Sequence, residues 1–197
     1  MSDIKNRYIE LWQSVKREGV PELLAWLETT DFYIAPCSTK YHLSREGGLL
    51  EHSLNVYDCL CKSLLFRDEE AQKINHESMV ITALAHDYCK INYYTTELKW
   101  RKDQKNQWEQ YEAYVVKDTF PYGHAEKSAL FVNRFIKLKT SEFMAIRWHM
   151  GGFTSGIQDF NVSRAMSEAY RAHPLAVFLH LADMEACYVL EAKEGPQ

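Results

Sequence analysis

The stretch Ala83-Leu84-Ala85-His86-Asp87-Tyr88-Cys89-Lys90 ends an apolar segment with a histidine followed directly by an aspartate. Apolar residues at helical spacing before it predict a helix from about His76 to Tyr88, with Val80, Leu84 and Asp87 facing inward. A buried imidazole and a buried carboxylate are costly unless a partner compensates their polarity. Because a metal ion is a frequent partner of these two groups, the stretch predicts a buried metal site whose other ligands come from elsewhere in the chain.

Helical periodicity continues on both sides of this stretch, with one interruption. Tyr93–Trp100 and Trp108–Val116 are strand-like runs that flank a polar segment, and they predict a β-hairpin around residues 93–117. Residues 31–47 are irregular because prolines, serines and glycines break the pattern. The expected fold class is therefore all-α, a mostly helical bundle, with one inserted β-hairpin. The predicted helices cover residues 3–18, 21–29, 48–66, 76–88, 123–138, 141–150, 162–171 and 174–190.

Length and composition predict one domain over residues 1–197, with the N-terminal helices 3–29 packed on its core. The chain has 197 residues, of which 46% are hydrophobic, enough for a single core. The formal net charge of −4 argues against a dedicated surface for long nucleic acids, which needs a basic face. A small phosphorylated substrate needs only a few local cations and stays compatible with this charge. Oligomeric state is not set by the sequence, and a homo-oligomer is an open alternative.

The five cysteines indicate a reducing compartment. Their number is odd, and only Cys59 and Cys61 lie close together, at a spacing that points them to different helix faces. We expect free thiols, with zinc binding by thiolates as the alternative. The first residues, Met1–Lys5, have no apolar targeting core, and no apolar run reaches the roughly 20 residues that span a bilayer. The expectation is a soluble, cytoplasmic protein without a membrane partner.

Two further residues are candidates for the metal site because they lie on apolar helices. His52 follows Gly47-Gly48-Leu49-Leu50-Glu51, and Asp183 ends Phe178-Leu179-His180-Leu181-Ala182-Asp183. A single histidine of this kind is more often a hydrogen-bonded core residue than a ligand. Four such groups on three apolar helices, His52, His86, Asp87 and Asp183, favour a metal site, since one ion takes about four to six donors.

His124 and His149 extend the pattern toward a second ion. His124 lies at a predicted helix start and His149 at a predicted helix end, and both are near glycines that allow close approach of a ligand. Asp87 has two oxygens and can bridge two ions, with His124 and His149 holding the second. Paired ions about 3.5–4 Å apart recur in enzymes that hydrolyse phosphate esters. The alternative for His124 is a helix N-terminal residue that makes local hydrogen bonds.

The order His52, His86-Asp87, Asp183 resembles that of the HD-domain metal-dependent phosphohydrolases. The segments Gly47–Ser53 and Ala83–Lys90 are similar to the first and central helices of that family. His124 and His149 resemble the additional ligands of its two-metal branches, such as the HD-GYP cyclic-dinucleotide phosphodiesterases and the HD-type 3′-5′ exoribonucleases. The resemblance covers roughly residues 40–190, which would form the core of the domain.

The chain departs from this family at several points. It has His149-Met150 where some two-metal members carry adjacent histidines, and it lacks the Gly-Tyr-Pro motif, which argues against a cyclic-dinucleotide substrate. The hairpin around residues 93–117 is not part of the minimal family core. The chain also has no room for the separate nucleic-acid-binding domain of the exonucleases.

The resemblance implies a lysine facing phosphate at Lys90, which also suits the C-terminal end of a helix. Lys127 and Ser128 follow His124 by three and four residues, so they share its helix face and are candidates for phosphate binding. Arg147 is a weaker candidate. The remaining candidates, at the mouth of the site before the first ligand helix, are His42 and Arg45.

The expected function is hydrolysis of a phosphomonoester or phosphodiester, in a nucleotide, by a metal-activated water, with Asp87 and Lys90 as catalytic residues. One or two divalent ions are expected, and the histidine-rich set suits Mn, Fe, Co, Ni or Zn better than Mg. The alternatives are a catalytically weak, metal-dependent nucleotide sensor and an HD-type di-iron oxygenase. The hairpin carries four aromatic residues, Trp100, Trp108, Tyr111 and Tyr114. Such rings can stack on a base, but the favoured interpretation is that they pack the hairpin onto the helices.

Overall fold

The chain folds into a helical bundle from which one β-hairpin projects. The computed structural model describes residues 2–65 and 74–194, and the mostly helical fold with an inserted hairpin is confirmed in these residues. The hairpin consists of β1 (Tyr94–Lys102) and β2 (Trp108–Val116). The α-helices are α1 (Ser2–Ser14), α2 (Val20–Leu27), α3 (Gly48–Leu65), α4 (His76–Ala85), α5 (His124–Asn133), α6 (Thr140–Trp148), α7 (Phe160–Ala172) and α8 (Pro174–Glu185).

Several helices end earlier than the sequence predicts. α1 ends at Ser14 rather than near residue 18, and Gly19 then turns the chain with φ +91° close to the carbonyl of Phe135. α4 ends at Ala85, and Tyr88–Lys90 form a 3-10 turn instead. The predicted end of α3 at Phe66 lies outside the described residues.

Two later helices, α5 and α8, also differ from the prediction near their C-terminal ends. α5 ends at Asn133, five residues before the predicted end at Leu138. α8 gives way at Ala186–Leu190 to a π-helix, which is followed by a 3-10 turn over Glu191–Glu194. The periodicity of the sequence continues through Leu190, so the wider turn is not visible in the pattern of apolar residues.

The N-terminal helices pack behind the His86-Asp87 turn. The hydroxyls of Tyr8 and Tyr88 lie 2.6 Å apart, and the Tyr8 hydroxyl also donates to the carbonyl of Leu84 at 3.3 Å. Trp26 belongs to α2, and its ring packs against the rings of Tyr88 and Phe131. Tyr8 and Tyr88 are fully buried, so the turn that follows α4 is held from its core side.

The hairpin is paired in register and largely exposed. Tyr94 pairs with Val116 and Lys102 with Trp108. Trp100 and Trp108 are 61% and 65% exposed. The interpretation that these two tryptophans pack the hairpin onto the helices is therefore wrong, because a two-stranded ribbon that projects from the bundle leaves its distal half in solvent.

Two smaller expectations concern the cysteines and the membrane. All five cysteines are free thiols, as expected, with Cys59 buried and Cys61 half-buried on different sides of α3. Among residues 2–65 and 74–194, every helix is too short or too polar to cross a bilayer.

Candidate metal centre

Five helices bring the six predicted ligands to one place. His52 lies in α3, His86 and Asp87 follow the last turn of α4, and Asp183 lies in α8. The other two histidines are His124, the first residue of α5, and His149, directly after α6. Four of the six lie at helix ends: His86 and Asp87 after α4, His124 at the start of α5 and His149 after α6.

His52, His86, Asp87 and Asp183 form the first group of donors. The Nε2 atom of His52 lies 3.2 Å from Nε2 of His86, 3.3 Å from Oδ1 of Asp183 and 3.6 Å from Oδ2 of Asp87. Nε2 of His86 lies 3.5 Å from the same Asp87 oxygen. Donors about 2.1 Å from one ion lie roughly 3–4 Å apart, so these spacings suit a shared cation.

The second oxygen of Asp87 faces the other two histidines. Oδ1 lies 2.9 Å from Nε2 of His124 and 3.7 Å from Nε2 of His149. The two oxygens of one carboxylate thus face two different sets of imidazoles. This is the geometry that a carboxylate needs to bridge two ions.

Backbone hydrogen bonds fix the orientation of two imidazoles. The Nδ1–H of His86 donates to the carbonyl of Ala83 at 2.8 Å, and that of His149 donates to the carbonyl of Ile146 at 2.7 Å. Each Nε2 lone pair therefore faces the centre, as metal ligation requires. Burial lowers the pKa of both rings, that of His149 to about 3, so both are neutral near pH 7.

His149 provides the sharpest test of whether an ion fits. Its Nε2 atom is buried and has no hydrogen-bond partner among the described residues. A buried polar atom without a partner is costly. A cation beside Asp87 would satisfy this nitrogen, so the donor set fits a metal ion.

Charged neighbours balance the two carboxylates of the centre. Lys90 Nζ lies 2.6 Å from Oδ2 of Asp87. Burial alone would lower the pKa of Lys90, but the charge of Asp87 outweighs it and raises that pKa well above its usual value. Burial would raise the pKa of Asp183, whereas the hydrogen bond with His52 holds it below the usual range.

Glu191 contacts the centre through His52, although the sequence does not single it out. Its carboxylate accepts from Nδ1 of His52 at 3.0 Å and from Nδ2 of Asn55 at 2.9 Å. It is 3% exposed. The only signal in the sequence was its place eight residues after Asp183, a spacing that falls at the edge of a shared face in an α-helix.

The centre opens into a cavity of about 900 Å³. Lys90 and His42, both candidates for substrate binding, line it together with the predicted ligands except His86. Three exposed aromatic side chains also line it, Tyr41, Phe153 and Tyr188. Trp100 and Trp108 lie away from the cavity, so they are not placed to stack on a ligand bound there.

Lys127 and Ser128 make other contacts. Nζ of Lys127 lies 2.7 Å from Oδ1 of Asp118 and over the ring of Tyr93, and it fixes the chain that returns from the hairpin. The Ser128 hydroxyl accepts from the backbone N–H of Cys89 at 3.0 Å. Neither residue lines the cavity in the described part of the chain, and these contacts do not favour a role in phosphate binding.

The two candidate arginines are also paired outside the cavity. Arg147 lies 2.7 Å from Glu126, and its guanidinium stacks over the ring of Trp148. Arg45 lies 2.8 Å from Glu51. Their roles in substrate binding stay predictions.

Comparison of the chain with protein-family models, with curated proteins and with solved structures gives no match in any of the three.

Proposed function

We propose that this protein is a metal-dependent phosphohydrolase that cleaves a phosphomonoester or phosphodiester of a nucleotide. The observation that carries the proposal is the position of Asp87. Its two oxygens face His52 and His86 on one side and His124 and His149 on the other. Such a carboxylate between two imidazole sets suits a pair of ions, and paired ions suit phosphate ester hydrolysis.

One ion would be held by His52, His86, Asp87 and Asp183. The other would be held by Asp87, His124 and His149. Bound ions of this kind supply an activated water and neutralise the charge that develops on phosphate oxygens. Imidazole and carboxylate donors suit Mn, Fe, Co, Ni or Zn, and Mg less well.

The chain's own residues would bind and orient the substrate. Lys90 places a positive charge on the cavity wall, beside Asp87, where it can pair with a phosphate oxygen. His180 donates through Nδ1 to the carbonyl of His149 at 2.6 Å, which leaves its Nε2 as the polar atom available to a ligand in the cavity. A cavity of about 900 Å³ suits a molecule of nucleotide size.

The metal assignment is tested first. Metal analysis of the purified protein should find at least one equivalent of a transition metal. The double variant His86→Ala/Asp87→Ala should lose it, whereas Asp58→Asn, which removes a surface carboxylate paired with Arg7, should keep it. Full metal content in the double variant would refute the centre.

The reaction is tested with a panel of nucleoside mono-, di- and triphosphates, cyclic nucleotides and bis-p-nitrophenyl phosphate, each with Mn, Ni and Co. We expect turnover of at least one nucleotide that is lost in His86→Ala/Asp87→Ala. Tight nucleotide binding without turnover would instead indicate a sensor. An oxygen-dependent absorption change of the iron-loaded protein, without hydrolysis, would indicate an oxygenase.

A further inference from the structure

A second donor cluster lies on the far side of His52 from the metal centre. Nε2 of His42 lies 3.6 Å from Sγ of Cys187 and 4.0 Å from Oε2 of Glu191. Donor atoms of these three residues and of His52 all lie within 4.8 Å of one another. Imidazole, thiol and carboxylate together form the donor set that zinc and similar thiophilic cations prefer.

The π-helix explains why these residues meet. Asp183, Cys187 and Glu191 follow one another at intervals of four residues. In a regular α-helix each such step turns the side chain about 40° around the axis, so the third residue would lie about 80° from the first. The wider turn at Ala186–Leu190 offsets this drift and keeps Cys187 and Glu191 on the cavity side of α8.

We propose that His42, Cys187 and Glu191 form an accessory binding site for a thiophilic divalent cation such as Zn²⁺. The site is separate from the centre built on Asp87 and shares no ligand atom with it. Donors about 2.0–2.3 Å from a tetrahedral ion lie roughly 3.3–3.8 Å apart. The His42–Cys187 distance of 3.6 Å already fits, the His42–Glu191 distance of 4.0 Å must shorten by a few tenths of an ångström, and the Cys187 and Glu191 donors lie within 4.8 Å of each other. The Cys187 thiol proton passes to solvent when the Sγ–cation bond forms.

His52 links the accessory site to the main centre without being a ligand of both. A neutral imidazole has one lone pair, and the Nδ1–H of His52 donates to Glu191 while its Nε2 faces His86. Both Glu191 oxygens lie close to Nδ1 of His52, Oε1 at 3.0 Å and Oε2 at 3.1 Å. Each carboxylate oxygen has two lone pairs, so Oε2 can orient His52 and still bind the cation. Three residue ligands leave the fourth position to water or to a group in the cavity.

Cys37 is a second thiol close to His42 and is the alternative sulfur ligand for the cation. Its Sγ atom lies 3.3 Å from Nε2 of His42, but it also lies 3.5 Å from Nζ of Lys90. The positive charge of Lys90 disfavours a cation beside Cys37. Besides His42, the close partner of the Cys187 thiol within the described residues is Oδ1 of Asp183 at 3.3 Å, a carboxylate rather than a cation.

Cobalt titration of the full-length protein tests the proposal, because Co²⁺ bound by a thiolate gives a near-ultraviolet charge-transfer band. The band should form in the wild type, disappear in Cys187→Ser and require at least tenfold more Co²⁺ in Glu191→Gln. It should persist in Cys59→Ser, a buried thiol of α3 away from the cluster. Circular dichroism of each variant confirms that it is folded.

Three more variants separate the accessory site from its neighbours. The band should persist in Cys37→Ser and in Cys89→Ser, whose thiol lies 3.1 Å from His124 near the main centre. It should also persist in His86→Ala/Asp87→Ala, so failure of the proposed hydrolase would leave this result intact. Absence of the band in the wild type, its survival in Cys187→Ser, or its loss in Cys37→Ser or Cys89→Ser would overturn the proposal.

Discussion

At the scale of single residues, Gly151 is the position with the least freedom near the centre. Its φ is +51°, and a Cβ atom there would lie 2.4 Å from Cε1 of His180. Gly151→Ala should lower the free energy of unfolding by about 1–3 kcal/mol, because it combines an unfavourable backbone conformation with a steric clash. The neighbouring Gly152→Ala is the matched control, because nothing lies within 4 Å of its would-be Cβ.

Urea denaturation of both glycine variants measures this difference. Equal stability of Gly151→Ala and Gly152→Ala would show that His180 moves away at little cost, and its contact with the carbonyl of His149 would then be weak.

Asp87 is the residue whose loss should affect the metal centre most, because it faces both sets of imidazoles. Mutation of a group that merely orients a ligand costs about 10–100-fold in metal affinity, so Asp87→Asn should weaken binding at least that much. Titration with Mn²⁺ or Zn²⁺ measures the effect. An unchanged affinity in Asp87→Asn, next to the control Asp58→Asn, would assign the carboxylate a purely structural role.

The sequence predicts the residues of the centre better than those around it. His52 and Asp183 were identifiable because a polar side chain stands out on an apolar helix face. Glu191 was not, because it lies one residue past the predicted helix end at Leu190, and the π-helix before it leaves no trace in the periodicity. Lys127 shares a helix with His124 as predicted, but its partner Asp118 comes from the chain after the hairpin, which local spacing does not reveal.

At the scale of helices, a buried ion pair joins three elements on the side of the bundle away from the cavity. The carboxylate of Glu142 in α6 accepts hydrogen bonds from the two terminal guanidinium nitrogens of Arg17, at 2.6 and 2.7 Å. It also accepts one from the hydroxyl of Ser78 in α4, at 2.6 Å. Arg17 lies between α1 and α2, so this carboxylate connects the N-terminal helices to the bundle. It also explains why the chain leaves the helix after Ser14 and reaches across to α6.

Glu142→Gln should destabilise the protein by roughly 1.5–3 kcal/mol at neutral pH, since it removes the charge-assisted bonds to Arg17 and leaves only Glu77, at 3.4 Å, as a counter-charge within the described residues. Burial would raise the pKa of Glu142, but Arg17 and Ser78 together lower it below its usual value of 4.5. Stability from a lowered pKa is fully present above about 4.5 and is lost as the pH falls through the folded-state value. The difference in the free energy of unfolding between the wild type and Glu142→Gln should therefore shrink in that acidic range.

Denaturation at neutral pH and below pH 4.5 measures both effects. The control is Glu168→Gln, which removes an exposed ion pair with Arg164 inside α7 and should cost only about 0.3–0.5 kcal/mol. If Glu142→Gln and Glu168→Gln had the same small effect, the ion pair would not be what connects the N-terminal helices to the bundle.

At the scale of the whole molecule, the cavity and the distal half of the hairpin are separate features. Only the base of the hairpin, through Tyr94 and Val116, lines the cavity, whereas Leu98, Trp100 and Trp108 are more than half exposed. The sequence predicts the hairpin from its strand-like runs and turn. It does not predict where the hairpin lies relative to the helices, because this depends on contacts between distant segments.

Replacement of residues 98–112 by Asn-Gly should leave the metal centre intact. Glu97 and Ala113 are cross-strand partners, so a two-residue turn can close the shortened hairpin between them. Because the removed residues are exposed or contact one another, the free energy of unfolding should change by less than about 1 kcal/mol. Metal content should equal that of the wild type. Loss of metal would show that the distal strands support the cavity, and unchanged metal with lost nucleotide turnover would instead place a substrate contact on the exposed tryptophans.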